Sequence, residues 1–556
     1  MNGDGSTVKK LPFNSRRSCV YSTSGMAASS QASASSAGSR ILRLGGNAVD
    51  AAVAQACVLA VAEPCSTGIG GDCFALFYDA DSKVVTAMLG NGAAPAALSL
   101  EFLTQQGISS LHPTSPHTVT VPGACAAWVD AVEKFGSGSV SLDQILQPAI
   151  ELAENGVPIG PVTAAQWKAS VGMCSLLDVE SFRKSVFVKS DGSTPEVGEL
   201  FRNIELAETL KEVSKNGKKG FYEGRIAESI VKEVKNAGGV LSLEDLKAHQ
   251  TEFCSPISVS YRGIQVFEVP PPTQGLSALI ALNIIENFPI SEMNEIQRTH
   301  VMIEAMRLAF ADANAYVGDP RQIPMQTKID ALLEKSYAKS RAGLIDLEKC
   351  AEHVEMGRIG ESETVQFCAV DRFGNACSMI NSNFMGFGTG LVPKGCGFSL
   401  QNRGLNFTLE PNHPNCLQPR KRPFHTIIPG LATRDGDLFG VFGCMGGFMQ
   451  PQGHMQLISN MIDLGMDPQS ALDAPRFCVG SSYGQSEQHK HLLHLELGFS
   501  ASCIHALKEY GHNTESDMGD FERSMFGRGQ IILRNPENGV LVAGSDPRAD
   551  GCAVIG

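Results

Sequence analysis

The feature that most constrains this fold is a pair of segments built from small residues near the N-terminus. Residues Ala48–Ala62 are apolar almost all the way round a helix, so this helix has no solvent face and is expected to be buried. The preceding segment Met26–Leu44 is rich in Ala and Ser, which predicts a helix that packs closely through small side chains. Gly45 and Gly46 favour the left-handed geometry that ends a helix, and Asn47 is a good N-cap for the next one.

The rest of the chain predicts an α/β protein whose C-terminal third is rich in strands. Apolar residues at helical spacing dominate residues 140–350, and the pattern changes to strands at Thr364. The segment Met356–Glu363, just before that change, is expected to be exposed and mobile. The predicted helices are Leu142–Glu154, Glu205–Ser214, Ile226–Ala237 and Arg298–Tyr316. The predicted strands are Cys73–Tyr78, Lys83–Leu89, Val365–Asp371, Ala376–Asn383, Leu438–Gly443, Gln530–Arg534 and Val540–Ala543.

The net charge and the cysteine content indicate which classes of partner are excluded and in which cellular compartment the protein is expected. The 556 residues carry a formal net charge of −13, which argues against a nucleic-acid or anionic-membrane partner. The longest apolar run, Ala51–Ala62, is far shorter than the ~20 residues of a membrane span, and Met1–Arg17 has no apolar signal core. The 16 cysteines include no CxxC motif, which is typical of free thiols in a reducing compartment. The predicted location is the cytoplasm.

Two short motifs give weak signals for chemistry. Gly480–Gly484 matches GxSxG around Ser482, but the residues that follow do not open a convincing helix, as a serine elbow requires. His489, His491 and His494 lie close together without accompanying carboxylates, which is a poor metal signature. We therefore expect a polar loop at the first motif and no metal site at the second.

Thr364 gives a stronger signal because it lies at the junction between the mobile segment and the first strand of a hairpin. If the chain is cut before Thr364, its hydroxyl and a new α-amine (pKa about 8) belong to one residue, and the amine can act as the base for the hydroxyl. Ser382 on the partner strand can hydrogen-bond that hydroxyl. Gly446 and Gly447 can bring backbone N–H groups close to a reacting carbonyl. Alone, each element is more typical of an ordinary strand threonine or glycine turn, so the residues leave both interpretations open.

A series of motifs in a fixed order resolves this ambiguity. They are Gly25–Gln31, Gly45–Ala54, Gly68–Asp72, Val121–Gly123, Thr364 with its strand, Gly388–Gly390, Met445–Gly447 and Gln450–His454. Together they resemble the γ-glutamyltranspeptidase family of N-terminal-nucleophile hydrolases. The resemblance runs from about residue 18 to the end of the chain.

The resemblance implies a precursor that cleaves itself between Glu363 and Thr364. It implies a lead-in 1–17, a heavy subunit 18–363 and a light subunit 364–556, intertwined in one four-layered αββα sandwich, with a homodimer left open. In this family Thr364 would be the nucleophile and, through its amine, the base, while Ser382 would support it. Gly446 and Gly447 would form the oxyanion pair. This chemistry needs no metal or organic cofactor.

The chain departs from the true γ-glutamyl enzymes in the pocket that binds the acyl donor. In those enzymes an Arg binds the α-carboxylate of the donor, whereas the matching stretch Gly90–Pro95 contains no Arg. Their acidic and amide residues for the α-amine correspond to Gln401–Phe407, which contains the cation Arg403 and no acid. Their paired serines correspond to His425 and Thr426. We therefore expect an unpaired cation in a pocket without a carboxylate, which favours a small anionic acyl group.

These departures resemble the amidohydrolase branch of the family, which includes oxamate amidohydrolase. The segments that carry this likeness are Gln401–Gly404, Lys421–Thr426 and Ser545–Arg548. The predicted substrate-binding residues are Arg403, Asn402, His425 and Thr426, with a surface ion pair as the alternative role for Arg403. Phe448 stands where an acid often follows the glycine pair in that branch.

The predicted function is that of a self-processing threonine amidohydrolase acting on a small carboxylate-bearing amide. γ-Glutamyl hydrolysis or transfer, with glutathione as donor, is the alternative within the same mechanism. A non-catalytic scaffold is the alternative from another class, and a serine esterase using Ser482 is a distant third. The expected partner is a small-molecule amide, with neither nucleic acid nor membrane.

Overall fold

The protein is described by a computed structural model that covers residues 17–173, 175–322, 326–351, 363–480 and 492–556. The strands are β1 (Val20–Ser22), β2 (Gly25–Ser29), β3 (Asp72–Asp79), β4 (Val84–Gly90), β5 (Val157–Pro158), β6 (Leu200–Phe201), β7 (Glu252–Cys254), β8 (Ile257–Tyr261), β9 (Ile264–Glu268), β10 (Glu363–Asp371), β11 (Ala376–Phe384), β12 (Gly430–Arg434), β13 (Asp437–Met445), β14 (Phe477–Val479), β15 (Leu492–Glu496), β16 (Asn513–Met518), β17 (Arg528–Arg534), β18 (Leu541–Ser545) and β19 (Cys552–Ile555).

The helices lie mainly between residues 32 and 342. They are α1 (Ala32–Arg43), α2 (Ala48–Ala62), α3 (Leu100–Gln105), α4 (Ala124–Phe135), α5 (Leu142–Asn155), α6 (Pro161–Met173), α7 (Glu180–Arg183), α8 (Ile204–Asn216), α9 (Lys218–Tyr222), α10 (Gly224–Asn236), α11 (Leu243–Lys247), α12 (Gly275–Ile285), α13 (Glu295–Tyr316), α14 (Gln326–Leu332), α15 (Lys335–Ala342), α16 (Met449–Ile462), α17 (Pro468–Asp473) and α18 (Ala501–Glu509).

Two large antiparallel sheets form the centre of the molecule. Sheet I has the strand order β19-β2-β10-β11-β3-β4-β7, and sheet II has the order β1-β18-β17-β13-β12-β9-β8. Apolar side chains from both sheets form one buried cluster between them, including Phe74, Leu76 and Val370 from sheet I and Leu431, Val441 and Ile532 from sheet II. The sheets therefore pack face to face.

Helices cover the outer face of each sheet, which completes the predicted αββα sandwich. A second apolar cluster joins α1, α2, α4 and α5 to sheet I, and a third joins α12, α13 and α16 to sheet II. All 15 residues of α2 are buried, and Asn47 caps it in a capping box with Asp50. The prediction of a buried, Asn-capped helix is confirmed.

The prediction of one continuous helix over Met26–Leu44 is wrong in its first part. Gly25–Ser29 is a strand that pairs with β10 on one side and β19 on the other, and the helix begins only at Ala32. Alanine favours a helix when only local propensity acts, but pairing on both sides of a buried strand overrides that propensity at Ala27 and Ala28. The other predicted helices and strands are present, with ends shifted by a few residues.

Three further sequence expectations concern the segment before Thr364, membrane spans and the cysteines. Most of Met356–Glu363 lies outside the described residues. None of the helices in the described ranges combines the length and hydropathy that a bilayer span requires. The core thiols of Cys57, Cys73 and Cys377 are free, as predicted.

Candidate active site

Three neighbouring strands of sheet I bring Thr364, Ser382 and Asp72 together. Strand β11 lies between β10 and β3, and its Ser382 is paired in register with Asp72 of β3. Thr364 stands at the start of β10, and its Oγ1 donates a hydrogen bond of 3.1 Å to Ser382 Oγ. All three side chains are fully buried. The predicted contact between Thr364 and Ser382 is confirmed.

Arg403 joins the same cluster from a short 3₁₀ turn, Arg403–Asn406. Its Nη2 donates to Ser382 Oγ at 3.2 Å, and its Nη1 donates to Thr426 Oγ1 at 2.8 Å. The guanidinium also lies 4.4 Å from the centre of the Phe384 ring, within the range of a cation–π interaction. Arg403 is completely buried, so the surface ion pair is not its role.

Asp72 overturns the expectation of an unpaired cation in a pocket without a carboxylate. Its Oδ2 lies 3.8 Å from Arg403 Nε and 3.0 Å from His425 Nε2, and its Oδ1 accepts the Gly92 N–H at 3.3 Å. The expectation was wrong because it considered only residues close in sequence to Arg403. The carboxylate comes from β3, more than 300 residues earlier in the chain.

The buried charges in this cluster are strongly perturbed. Burial lowers the pKa of His425 well below its usual value, and the Arg403 charge lowers it further. The Ile427 N–H points at His425 Nδ1 at 3.4 Å, so the neutral ring donates its Nε2–H to Asp72. Burial raises the pKa of Asp72 to about 7 against the opposing effect of Arg403. Burial also lowers the pKa of Arg403 to about 9, an effect that Asp72 opposes, so Arg403 is a cation at neutral pH.

The raised pKa of Asp72 predicts that its ionisation costs stability. A carboxyl with a pKa of about 7 in the folded protein and about 3.9 in the unfolded chain binds more protons when folded between those values. The free energy of unfolding therefore falls as pH rises through this window, by at most about 1.4 kcal/mol per pH unit. Urea unfolding between pH 5 and pH 8 should show a steeper fall for the wild type than for Asp72→Asn. Equal slopes for the two proteins would contradict the assignment.

A glycine turn forms the other side of the site, where β13 ends and α16 begins. Gly446 has φ +122° and Gly447 has φ +57°, both in the region that favours glycine. Their carbonyl oxygens accept the N–H groups of Met449 and Gln450 at the start of α16. The prediction that the glycine pair follows a strand is confirmed.

Arg528 contacts both the strand that ends at the glycine turn and Thr364. It is paired in register with Met445, the residue before the glycines, and its Nη2 lies 3.5 Å from the Thr364 carbonyl oxygen. Glu63 balances the buried charge of Arg528 with an ion pair of 2.7 Å. The end of β13 and the start of β10 are therefore held together beside one buried ion pair.

Gln274 connects the glycine turn to Thr426, which is a partner of Arg403. Its Nε2 donates to the Gly447 carbonyl at 2.7 Å and to the Thr426 carbonyl. Sequence reasoning missed Gln274, Arg528 and Asp72. Only Asp72 carried a signal, because it ends the glycine-rich motif Gly68–Asp72.

Asn402, a predicted substrate-binding residue, and Phe448 have contacts that the sequence did not indicate. Asn402 Oδ1 accepts the Met385 N–H, and its Nδ2 donates to the carbonyls of Pro113 and Gly388, each at 3.1 Å. This gives Asn402 a structural role in its loop, and its role in substrate binding stays a prediction. Phe448 stacks on Phe424 with ring centres 6.1 Å apart.

The weaker motifs receive no support from the described structure. Ser482, His489 and His491 lie outside the described residues, and His494 lies on β15 with its Nδ1 3.3 Å from a Glu515 oxygen. Within the described ranges, no group of three or more His, Cys, Asp or Glu side chains is arranged to hold a metal ion.

Comparison with known proteins identifies the family to which this site belongs. Residues 34–556 match the profile of the family described as Gamma-glutamyltranspeptidase. The chain belongs to the γ-glutamyltranspeptidase family. It is 36% identical over 540 residues to the glutathione hydrolase-like YwrD proenzyme of Bacillus subtilis (strain 168), covering 96% of this chain and 99% of that protein.

Two further relatives extend the comparison. The oxamate amidohydrolase proenzyme of Klebsiella pneumoniae is 33% identical, and the match covers 96% of this chain and 98% of the relative. The crystal structure of cephalosporin acylase from Bacillus halodurans superposes with a TM-score of 0.90 at 40% identity, over 99% of this chain and 98% of that one. The γ-glutamyltranspeptidase family member described here is thus a hydrolase proenzyme with the N-terminal-nucleophile hydrolase fold.

Proposed function

We propose that the protein is a threonine amidohydrolase that cleaves itself between Glu363 and Thr364 and then hydrolyses a small carboxylate-bearing amide. The observation that carries the proposal is the buried contact of 3.1 Å between Thr364 Oγ1 and Ser382 Oγ. Ser382 in turn accepts N–H donors from Phe384 at 2.8 Å and Arg403 at 3.2 Å. Ser382 Oγ therefore connects the Thr364 hydroxyl to the Arg403 guanidinium through hydrogen bonds.

In the proposed reaction, the Thr364 oxygen attacks the amide carbon while the α-amine of Thr364 takes the hydroxyl proton. The backbone N–H groups of Gly446 and Gly447 stabilise the oxyanion. The C–N bond then breaks, the amine returns the proton to the leaving nitrogen, and the acyl group remains as an ester on Thr364. Water, deprotonated by the same amine, then attacks the ester carbon. The bond between that carbon and the Thr364 oxygen breaks, the amine returns the proton to this oxygen, and the acid is released.

The sheet topology supports the proposed division into a heavy subunit 18–363 and a light subunit 364–556, after a lead-in 1–17. In sheet I, β2, β3, β4 and β7 come from the heavy part and β10, β11 and β19 from the light part. Strand β2 lies between β10 and β19, so it pairs with the light part on both sides. These pairings would hold the two pieces together after cleavage.

The proposed substrate follows from the polar groups beside Thr364. Arg403 presents two Nη groups next to Ser382 and Thr426, and a guanidinium fork is well suited to a carboxylate. The Klebsiella relative, 33% identical, is named an oxamate amidohydrolase. We therefore propose an acyl group whose carboxylate contacts Arg403.

Asp72 favours a second candidate, a γ-glutamyl donor such as glutathione. Its carboxylate beside Arg403 supplies the negative charge that an α-ammonium group requires. The Bacillus subtilis relative, 36% identical, is named glutathione hydrolase-like. This candidate would use the same Thr364 chemistry.

Hydrolysis of two substrates by the processed enzyme separates these candidates. We expect kcat/KM for an oxamate-like primary amide to exceed that for a γ-glutamyl anilide by about 100-fold, because the anilide carries an α-ammonium group that the Arg403 cation repels. A preference for the anilide would contradict the substrate proposal and favour the γ-glutamyl candidate. A processed protein that hydrolyses neither would favour the non-catalytic scaffold.

We also propose a cytoplasmic location for the protein. Free thiols in the core, such as Cys57, Cys73 and Cys377, are typical of a reducing compartment. Fractionation of the source cells tests this proposal, and recovery of the protein outside the cytoplasmic fraction would contradict it.

A further inference from the structure

The side chain of Asn91 is a buried amide. It is 0% exposed, and neither its Oδ1 nor its Nδ2 has a hydrogen-bond partner among the residues that the structure describes. Buried polar side chains are nearly always hydrogen-bonded, and leaving one unsatisfied destabilises the fold. An orphaned amide therefore calls for a functional explanation.

Asn91 lies close in the fold to Asp72, which belongs to the candidate active site. The pairing of β3 with β4 ends at Cys73 and Gly90, and Asp72 and Asn91 are the residues next to this last pair. Asp72 is paired with Ser382, which accepts the hydrogen bond from Thr364. Residues opposite each other in antiparallel strands project to the same face of the sheet. Thr364, Ser382 and Asp72 thus lie on three neighbouring strands, and Asn91 directly follows the fourth, β4.

The backbone around Asn91 is held firmly in this position. The Gly92 N–H donates to Asp72 Oδ1 at 3.3 Å. Gly123 packs so closely on the other side that an added Cβ would lie 2.2 Å from the Gly90 carbonyl oxygen and 3.1 Å from Asn91 Cα. The backbone of Asn91 is therefore held close to Asp72 in advance of any ligand.

We propose that Asn91 is a specificity-determining residue that binds an uncharged hydrogen-bonding group on the acyl part of the substrate. The amide is neutral and offers both a donor and an acceptor, which suits a hydroxyl, keto or amide group. A carboxylate at this point would face the negative charge of Asp72. This inference rests on the proposed function, in which Arg403 takes the carboxylate, and it narrows the substrate to short acyl groups that carry both a carboxylate and a neutral polar group.

Replacing Asn91 with a similar-sized apolar residue separates a binding role from a structural one. Asn91→Leu removes the orphaned amide, so we expect the Tm of the free enzyme to rise by a few degrees while kcat/KM falls about 100-fold. Asn381→Leu is the matched control. Asn381 is equally buried, but its amide bonds to Trp128, Thr67 and Gly68, so its replacement should lower the Tm. A lower Tm for Asn91→Leu as well would overturn the proposal.

A pair of substrates tests the chemistry that Asn91 recognises. The acyl groups should differ only by a hydroxyl group in place of a hydrogen atom. We expect the wild type to prefer the hydroxylated amide by about 100-fold, because a site built around a hydrogen bond rejects the analogue that lacks it. Asn91→Leu, and Asn91→Ala should the first variant not fold, should lose this preference, and an unchanged preference would overturn the proposal.

The affinities of the two product acids, one with and one without the hydroxyl group, can be measured by calorimetry. This measurement does not depend on catalysis. If Thr364→Ala were to retain hydrolysis, the proposed function would fail. The affinity difference between hydroxylated and unsubstituted acids, compared in wild type and Asn91→Leu, would still report on Asn91. Equal affinities for the two acids in the wild type would overturn the inference.

Discussion

Replacing Thr364 with Ala should leave a single uncut chain of 59.2 kDa with no measurable amidase activity. The variant lacks the hydroxyl that attacks both the peptide bond after Glu363 and the substrate amide. Loss of the nucleophile is expected to reduce kcat by at least about 10⁴-fold. Gel electrophoresis of the purified variant and a hydrolysis assay measure the two effects.

Thr364→Ser is the matched control for this prediction. It keeps a hydroxyl at the same place on β10, within reach of Ser382, and loses only a methyl group. We expect it to process and turn over, though more slowly than the wild type. A cleaved Thr364→Ala protein, or one that hydrolyses the substrate, would show that the nucleophile lies elsewhere.

Replacing Arg403 with Met should weaken substrate binding without preventing cleavage. Met fills much of the same volume but cannot pair with a carboxylate. Removing one partner of a buried charge pair commonly costs 2–5 kcal/mol, so kcat/KM for the carboxylate-bearing amide should fall by about 10²–10³-fold, mainly through KM. Steady-state kinetics on the processed variant measure this effect, with the corresponding neutral amide expected to change much less.

The double variant Arg403→Met/Asp72→Asn separates binding from stability. Arg403→Met alone leaves the buried Asp72 carboxyl without the cation that favours its ionised form, which lowers stability at pH values where this carboxyl is ionised. Removing that charge as well should recover much of the lost stability but none of the substrate affinity. If the double variant regained normal KM, or if the single variant kept it, Arg403 would be a structural residue.

Local patterns were enough to predict several parts of the molecule. The Asn47 cap, the buried helix α2 and the hairpin β10–β11 depend on residues close together in sequence, and a hairpin fixes which residues face each other. The contact between Thr364 and Ser382 followed from that hairpin. The family resemblance then supplied the αββα sandwich, which no local pattern indicates.

The rest depended on contacts between distant segments. Asp72 reaches Arg403 and His425 only because β3 lies beside β11 in sheet I, and no spacing in the sequence indicates that neighbour. Gly25–Ser29 is a strand because β10 and β19 pair with it on both sides. In both cases the tertiary environment decides what the local sequence leaves open.

The most direct test of the account is the intact mass and N-terminal sequence of the purified wild-type protein. In proportion to residues 1–363 and 364–556 of the 59.2 kDa chain, the expected pieces have masses of about 39 and about 21 kDa. The smaller piece should begin Thr364-Val365-Gln366. A single uncut chain that persists for days, or a light piece that begins at another residue, would contradict the assignment of Thr364 as the nucleophile.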